Sequence, residues 1–219
     1  MDTINKKAFY ACVLTALTSG TFTLNAQATS ISDVLITEIM ANPLQVSDGN
    51  GEWFELFNPT SSAINLEGLT LSDDGSNSNT ISTGGPLLIG AGQYFVMAKN
   101  GDNNTNGGFS ADYVYSNFTL GNSGDQIIFS SGANELLRFN YSAGFDVAGQ
   151  SMELIGLPMI EANYALTSIT LTYGLGDIGT PGAAGSFTPA PVPVPAAAWL
   201  FGSGLMGLIG IGRRRKASS

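Results

Sequence analysis

Short hydrophobic runs alternate with polar, turn-rich segments through the central part of the chain. In the segments 137–141 and 169–173, hydrophobic and polar residues alternate one by one, which is typical of half-buried β-strands. The segments between the runs are rich in Asn, Asp, Gly and Ser, which favour turns. Six further short apolar runs lie at 34–40, 52–57, 68–71, 93–98, 125–129 and 151–155.

This pattern predicts one all-β domain. Between residues 31 and 186 no long stretch repeats its apolar residues at the 3.6-residue period of an amphipathic helix. About eight strands in roughly 155 residues are enough to bury a hydrophobic core without disulfides, and a β-sandwich is the natural architecture for them. We therefore expect residues 31–186 to form a β-sandwich.

The first 28 residues have the parts of a secretory signal peptide. Lys6 and Lys7 form a basic start, residues 8–24 are apolar or small, and residues 26–28 form a cleavage site of the A-x-A type. We therefore expect an N-terminal signal helix within residues 1–28 and export of the body. Cleavage also removes Cys12, the only cysteine, which excludes disulfides and thiolate chemistry from the exported body.

The C-terminal end has the composition of a membrane span. Residues 196–212 carry no charge over 17 residues, and a helix of that length rises about 25 Å, just short of an average hydrocarbon core. A Pro-rich linker at 187–195 precedes the span, and a basic cluster at 213–216 follows it. Because positive charge beside a span stays in the cytoplasm, we expect a transmembrane helix at 196–212 with the body outside the cytoplasm.

A proline-spaced motif, the apolar span and the basic end lie together within residues 192–216. The residues that carry this pattern are Val192, Pro193, Pro195, Trp199, Arg213, Arg214 and Arg215. The segment resembles a bacterial C-terminal protein-sorting signal, the PEP-CTERM type in its VPLPA variant. The resemblance implies that an exosortase-type membrane protease removes the tail and passes the protein to the outer surface of a Gram-negative cell. A permanent membrane anchor is the alternative.

The charge of the expected mature body narrows the choice of partners. Residues 29–195 contain two basic residues, Lys99 and Arg138, against 16 acidic residues, which gives a formal charge of −14. A field of that sign repels phosphate backbones, so we expect no nucleic-acid partner. Histidine is absent from the whole sequence, which removes the usual zinc ligand and the usual general base.

Six motifs follow one another along the body. They lie at 36–43, 51–58, 66–73, 120–125, 149–153 and 176–182. Together they resemble the lamin tail domain over about residues 31–185. Leu69 departs from the family pattern, which usually has Trp there, and residues 165–172 lack the Trp that many bacterial members carry. The resemblance implies an immunoglobulin-like β-sandwich that serves as a binding or display module and not as an enzyme.

An oxygen-rich loop is the first candidate site. Asp102, Asn104, Asn106 and the following Gly match the first half of a calcium-binding loop, in which oxygen ligands alternate before a sharp turn. The Glu expected at the twelfth position is missing, and Asp112 is the nearest carboxylate. The candidate calcium ligands are therefore Asp102, Asn104, Asn106 and Asp112. The alternative is a loop whose Asn and Asp side chains bond only its own backbone.

Paired carboxylates are the second candidate site. Glu52 and Glu55 are three residues apart, and an odd separation in a strand places them on opposite faces, so they cannot flank one glycosidic bond. Glu38 is able to meet one of them from a neighbouring strand. The lamin tail resemblance implies instead that Glu38 and Glu55 accept hydrogen bonds from backbone groups at the ends of the sandwich. We expect Trp53 and Phe54 to serve in core and edge packing, and the alternative is a platform for a sugar ring.

These observations predict an exported, surface-sorted, non-catalytic binding or structural module of the cell envelope or extracellular matrix. Its expected partners are the sorting protease, the membrane through the C-terminal helix, and an extracellular polysaccharide or envelope protein. Two alternatives remain open. One is a calcium-dependent module that adheres to polysaccharide, and the other is a hydrolase that uses carboxylates alone.

Overall fold

The computed structural model describes residues 30–186, which consist mostly of β-strands. The helices within this part are short: 3-10 turns at Ile31–Asp33 and Glu161–Asn163, and the single-turn helix α1 at Asp48–Gly51. The strands are β1 (Leu35–Met40), β2 (Trp53–Phe57), β3 (Ile64–Asn65), β4 (Thr70–Ser72), β5 (Ser78–Thr80), β6 (Leu88–Ile89), β7 (Tyr94–Ala98), β8 (Tyr113–Val114), β9 (Gly124–Ser131), β10 (Asn134–Ser142), β11 (Met152–Leu154), β12 (Tyr164–Leu166), β13 (Thr172–Tyr173) and β14 (Asp177–Ile178).

Most of these strands belong to two sheets. The larger sheet has six strands in the order β12-β11-β1-β2-β7-β8, and the smaller has four in the order β10-β9-β4-β5. Neighbouring strands are antiparallel except for β7 and β8, which run parallel. Two small ribbons, β3 with β6 and β13 with β14, complete the described part. The long segments predicted as strands coincide with β1, β2, β7, β9 and β10.

One hydrophobic core fills the space between the two large sheets. The six-stranded sheet contributes Ile36 and Ile39 from β1, and Phe54 and Leu56 from β2. The ring of Phe54 lies 6.3 Å, centroid to centroid, from that of Phe129 on β9 in the other sheet. Two sheets that bury facing side chains in this way form a β-sandwich. The predicted all-β sandwich is therefore confirmed.

A third layer covers the face of the six-stranded sheet that points away from this core, and we call this face the outer face. Met40, Trp53, Val96 and Ala98 form a second apolar cluster there with Phe109. The loop around Phe109, the β13–β14 hairpin and the final described segment pack over the outer face. We call that final segment, residues 179–186, the strap. Because both faces of β2 are covered, Trp53 and Phe54 are both fully buried, as predicted.

One strand prediction is wrong. Alternation at 169–173 predicts a half-buried strand, yet Ile169 lies in a turn and is 75% exposed. Only Thr172 and Tyr173 form a strand, because their partner β14 contributes just two residues. The residues before them have no neighbouring strand to pair with and stay at the surface.

Several predictions concern residues outside the described range. The signal peptide at 1–28, the linker at 187–195 and the sorting segment at 192–216 all fall there, as does the helix predicted at 196–212. Within residues 30–186, none of the helices has the length and apolar character needed to span a bilayer.

Candidate functional site

Three buried glutamates lie side by side on the outer face. Glu38 on β1 is directly opposite Glu153 on β11 and directly opposite Glu55 on β2. Opposite residues of antiparallel strands project on the same face of the sheet, so the three side chains form one row. Their exposed fractions are 1% for Glu38, 1% for Glu55 and 3% for Glu153. We call these three residues the acid row.

A β-bulge in β1 makes this row possible. Residues two apart in a regular strand share a face, which would place Glu38 beside Ile36 in the core. The register shifts between Ile36 and Glu38, however, and the extra residue turns the strand over. Ile36 and Ile39 therefore both pack in the core, whereas Glu38 points to the outer face.

The strap supplies a backbone N–H group to each member of the row. Thr180 N–H donates to Glu38 at 2.9 Å, Gly182 N–H donates to Glu55 at 2.8 Å, and Ser186 N–H donates to Glu153 at 2.8 Å. The backbone hydrogen bonds predicted for Glu38 and Glu55 are thus present. They come from a segment that lies over the outer face and not from the ends of the sandwich, because the strap returns across the sheet after β14.

Hydroxyl groups satisfy the remaining carboxylate oxygens. The hydroxyls of Ser151 and Thr180 each donate to Glu38 at 2.5 Å. Thr37 donates to Glu55 at 2.6 Å. Ser186 adds its hydroxyl to Glu153 at 2.5 Å. Buried carboxyl groups need such partners, since an unsatisfied charge away from water is costly.

Burial dominates the protonation of two members of the row, Glu38 and Glu55. Removal from water raises the pKa of Glu55 to about 8, with a further increase from the neighbouring Glu38, although bonds from Thr37 and the strap act in the opposite direction. Burial likewise raises the pKa of Glu38, assisted by the charge of Glu153, against the donors Ser151 and Thr180. Glu38 and Glu55 therefore hold their protons to higher pH values than an exposed glutamate does.

Glu52 belongs to a different site. It follows helix α1 and accepts hydrogen bonds from the Thr119 hydroxyl at 2.8 Å and from Leu120 N–H at 3.1 Å. Burial raises its pKa to about 7. Glu52 and Glu55 contact different parts of the molecule, as their odd spacing predicts. They are not a pair that flanks one substrate.

The burial of the acid row keeps its carboxyl groups away from a substrate. A catalytic acid or base has to come within hydrogen-bond reach of its substrate. Each member of the row is almost inaccessible to solvent and already bonds the strap. The arrangement instead fastens the C-terminal part of the described chain onto the sheet.

The candidate calcium loop also uses its side chains internally. Asp102 accepts hydrogen bonds from Asn104 N–H at 3.0 Å and from the Thr105 hydroxyl at 3.0 Å. The fully buried Asn106 donates its amide to Phe109 carbonyl at 3.0 Å. Asp112 lies elsewhere and accepts from a backbone N–H of β7. Asn104 donates its amide to Asp102, so these groups bond one another.

Metal binding by this loop stays a prediction. Among residues 30–186, no three Asp, Glu, His or Cys side chains are placed so that they could jointly hold a metal ion. The bonds within the loop agree with the alternative in which Asn and Asp side chains stabilise turns.

Two features of the site lie beyond what sequence reasoning identified. Glu153 lies in one of the lamin tail motifs, but the sequence assigns it no role. The strap has the composition of a Gly-rich loop, which does not predict that it covers the sheet. One signal points to the strap. Gly185 has no room for a side chain, because a Cβ there would lie 2.3 Å from a Glu153 carboxylate oxygen. Glycine at such a position marks a close approach to a neighbouring group.

The fold and the site together define a small β-sandwich module whose buried acid row fastens its own C-terminal segment. A family model for the lamin tail domain matches residues 27–143, a little over half of the 219 residues. The chain therefore belongs to the lamin tail domain family. The match ends just after β10, so β11 to β14 and the strap follow the matched region. No curated protein and no solved structure matches the chain.

Proposed function

We propose that this chain is an exported, surface-sorted lamin tail module that binds or supports other components of the cell envelope or extracellular matrix without catalysis. The observation that carries the non-catalytic part is the sealed acid row. Glu38, Glu55 and Glu153 are buried carboxyl groups of the kind that acid-base chemistry uses, and the strap covers all three.

The sequence ends support the export part of the proposal. Residues 1–28 have the pattern of a signal peptide, and residues 192–216 resemble a PEP-CTERM sorting signal. The proposed partners are an exosortase-type protease, the membrane through residues 196–212, and then an extracellular polysaccharide or envelope protein. Since the expected mature body has a formal charge of −14, nucleic acid is a poor partner.

Intact mass and cell fractionation test this proposal. The full chain is expressed in a Gram-negative host with a matching exosortase-type protease and in the same host without it. We expect a mature form that begins near Thr29 and lacks the apolar tail, found at the surface only when the protease is present. A full tail retained in the inner membrane of both hosts would instead support a permanently anchored protein and refute surface sorting.

Calcium-dependent adhesion is the second candidate, supported by the oxygen-rich composition of the Asp102 loop. Calorimetry of the protein against calcium chloride tests it. Absence of heat, together with an unchanged Tm in millimolar calcium, would remove calcium from the function.

A further inference from the structure

An open groove runs across the third layer between the strap and the loop around Phe109. Its volume is about 410 Å³, which is within the range of sites that hold small ligands. No lining residue is charged. The groove is lined by Gly108, Phe109, Ser110, Leu171, Thr172, Tyr173, Gly179, Thr180, Pro181 and Ala183.

One wall of the groove, the loop around Phe109, is joined backbone to backbone to the β13–β14 hairpin. A Cβ on Gly174 would collide with the carbonyl oxygen of Gly107, so the two backbones are in close contact there. Leu175 N–H donates to the same carbonyl at 2.9 Å. The loop and the β13–β14 hairpin are thereby held at a fixed separation. A fixed separation lowers the cost of ordering the site when a ligand binds.

Aromatic rings form the floor. The rings of Phe109 and Tyr173 meet edge to face with centroids 5.8 Å apart. Trp53 lies beneath them and donates its indole N–H to the Tyr173 hydroxyl at 3.0 Å, which fixes the orientation of that ring. Tyr173 is half-buried and lines the groove, whereas Phe109 beside it is only 4% exposed. Such a ring offers a rigid apolar surface beside a polar hydroxyl.

Hydroxyl groups surround this aromatic floor. Ser110 and Thr172 are both exposed at the rim. The third hydroxyl of the lining, on Thr180, donates to Glu38, so only its oxygen is left to accept a further hydrogen bond. A neutral lining is unusual here, because the expected mature body carries 16 acidic residues. The surrounding negative field repels anionic polymers, whereas the groove itself offers cations no partner of opposite charge.

We propose that this groove binds a segment of a neutral, hydroxyl-rich glycan. A pyranose ring has C–H faces that pack on an aromatic ring and hydroxyls that exchange hydrogen bonds with Ser and Thr, and it needs no charged partner. This inference rests on the proposed function as a binding module and names the ligand class of that module.

Titration of the full chain with defined hexasaccharides tests the proposal, in a detergent that has no sugar headgroup and with EDTA present. The probes are cellohexaose, laminarihexaose, maltohexaose and an alginate hexamer. We expect at least one neutral hexasaccharide to bind and the acidic alginate hexamer not to bind. Thr172→Glu should weaken that binding at least tenfold, because it removes the Thr172 hydroxyl and places a longer side chain over the rim of the groove. Thr80→Glu, an exposed threonine on β5 in the other sheet, is the matched control and should bind as the wild type does.

Ser110→Glu provides a second variant in case Thr172→Glu does not fold, and circular dichroism checks both. Failure of every neutral hexasaccharide to bind overturns the proposal, as does wild-type binding by both folded rim variants. Preferential binding of the alginate hexamer, or of a proline-rich peptide copied from residues 187–195, also overturns it. These results do not depend on tail cleavage, so an incorrect ligand assignment is distinguished from incorrect sorting. Binding in EDTA also separates this groove from calcium-dependent adhesion.

Discussion

Replacement of Glu55 by Gln is the sharpest test of the acid row. The folded protein holds the pKa of Glu55 at about 8, above the ordinary value of 4.5 that applies to the unfolded chain. Between these values the folded protein keeps a proton that the unfolded chain releases, so stability falls as the pH rises. The contribution is fully present below about pH 4.5 and is lost as the pH passes through about 8.

The size of the effect follows from the same pKa values. One pKa unit corresponds to about 1.4 kcal/mol, so a rise from 4.5 to about 8 sets an upper limit of about 5 kcal/mol. Glu55→Gln carries no proton to lose. In the structure the Thr37 hydroxyl donates to one Glu55 oxygen and Gly182 N–H donates to the other. The Gln carbonyl can accept from Gly182 N–H, and the Gln amide can donate to the Thr37 oxygen once that hydroxyl turns to the backbone carbonyl of residue 55. We therefore expect the variant to lie within about 1 kcal/mol of the wild type at pH 5.

Urea denaturation followed by far-UV circular dichroism at pH 5, 7 and 9 measures the free energy of unfolding of the wild type and the variant. The wild type should lose stability across the series, and Glu55→Gln should lose less and exceed the wild type at pH 9. Glu67→Gln is the control, because it removes the same charge from an exposed carboxyl whose pKa is lowered by its bonds to Thr83. It should keep the wild-type slope. If the stability of Glu55→Gln and of the wild type changed equally with pH, the raised pKa of Glu55 would be refuted.

Two further comparisons test the packing. Gly174→Ala should destabilise the fold by about 3 kcal/mol or more, since its Cβ would collide with the Gly107 carbonyl. Gly132→Ala should cost about 1–2 kcal/mol, because Gly132 also lies in the left-handed region, at φ +58°, but has open space around it. Thermal denaturation of both variants measures the difference, and equal costs would contradict it. Tyr164→Phe should cost about 1 kcal/mol, because it loses the hydrogen bond to the Ile36 carbonyl. Tyr115→Phe should be nearly neutral or stabilising, because the buried Tyr115 hydroxyl has no protein partner. Urea denaturation distinguishes the two variants, and a larger loss of stability for Tyr115→Phe would show that its hydroxyl is bonded.

Sequence reasoning predicted the fold where local patterns decide it. The run at 52–57 is apolar on both faces, which is typical of a strand covered on both sides, and β2 is such a strand. The hairpin of β9 and β10 was likewise readable from alternation and an intervening turn. The strand prediction at 169–173 was wrong, because alternation over five residues does not reveal whether a partner strand exists.

The acid row was out of reach for a different reason. Strict alternation places Glu38 on the same face as Ile36, and only the bulge between them reverses this. Glu153 joins the row because β11 pairs with β1, a contact between residues 115 positions apart that no local pattern encodes. The hydrogen bonds of Glu38 and Glu55 were predictable as a type from the family resemblance, but the identity of their donors depends on the path of the strap.

The strap also determines when folding can finish. Thr180 and Glu38 are 142 positions apart, and Gly182 and Glu55 are 127 apart, so these contacts close very long loops. Contacts of this separation form late, because loop closure has to precede the interactions that repay it. Because the N-terminus of the chain emerges first, the two sheets can assemble while the acid row is still hydrated. We therefore expect the outer face to close only after residue 186 has emerged, with the strap folding last among the described residues. A chain truncated before the strap should leave the acid row uncovered.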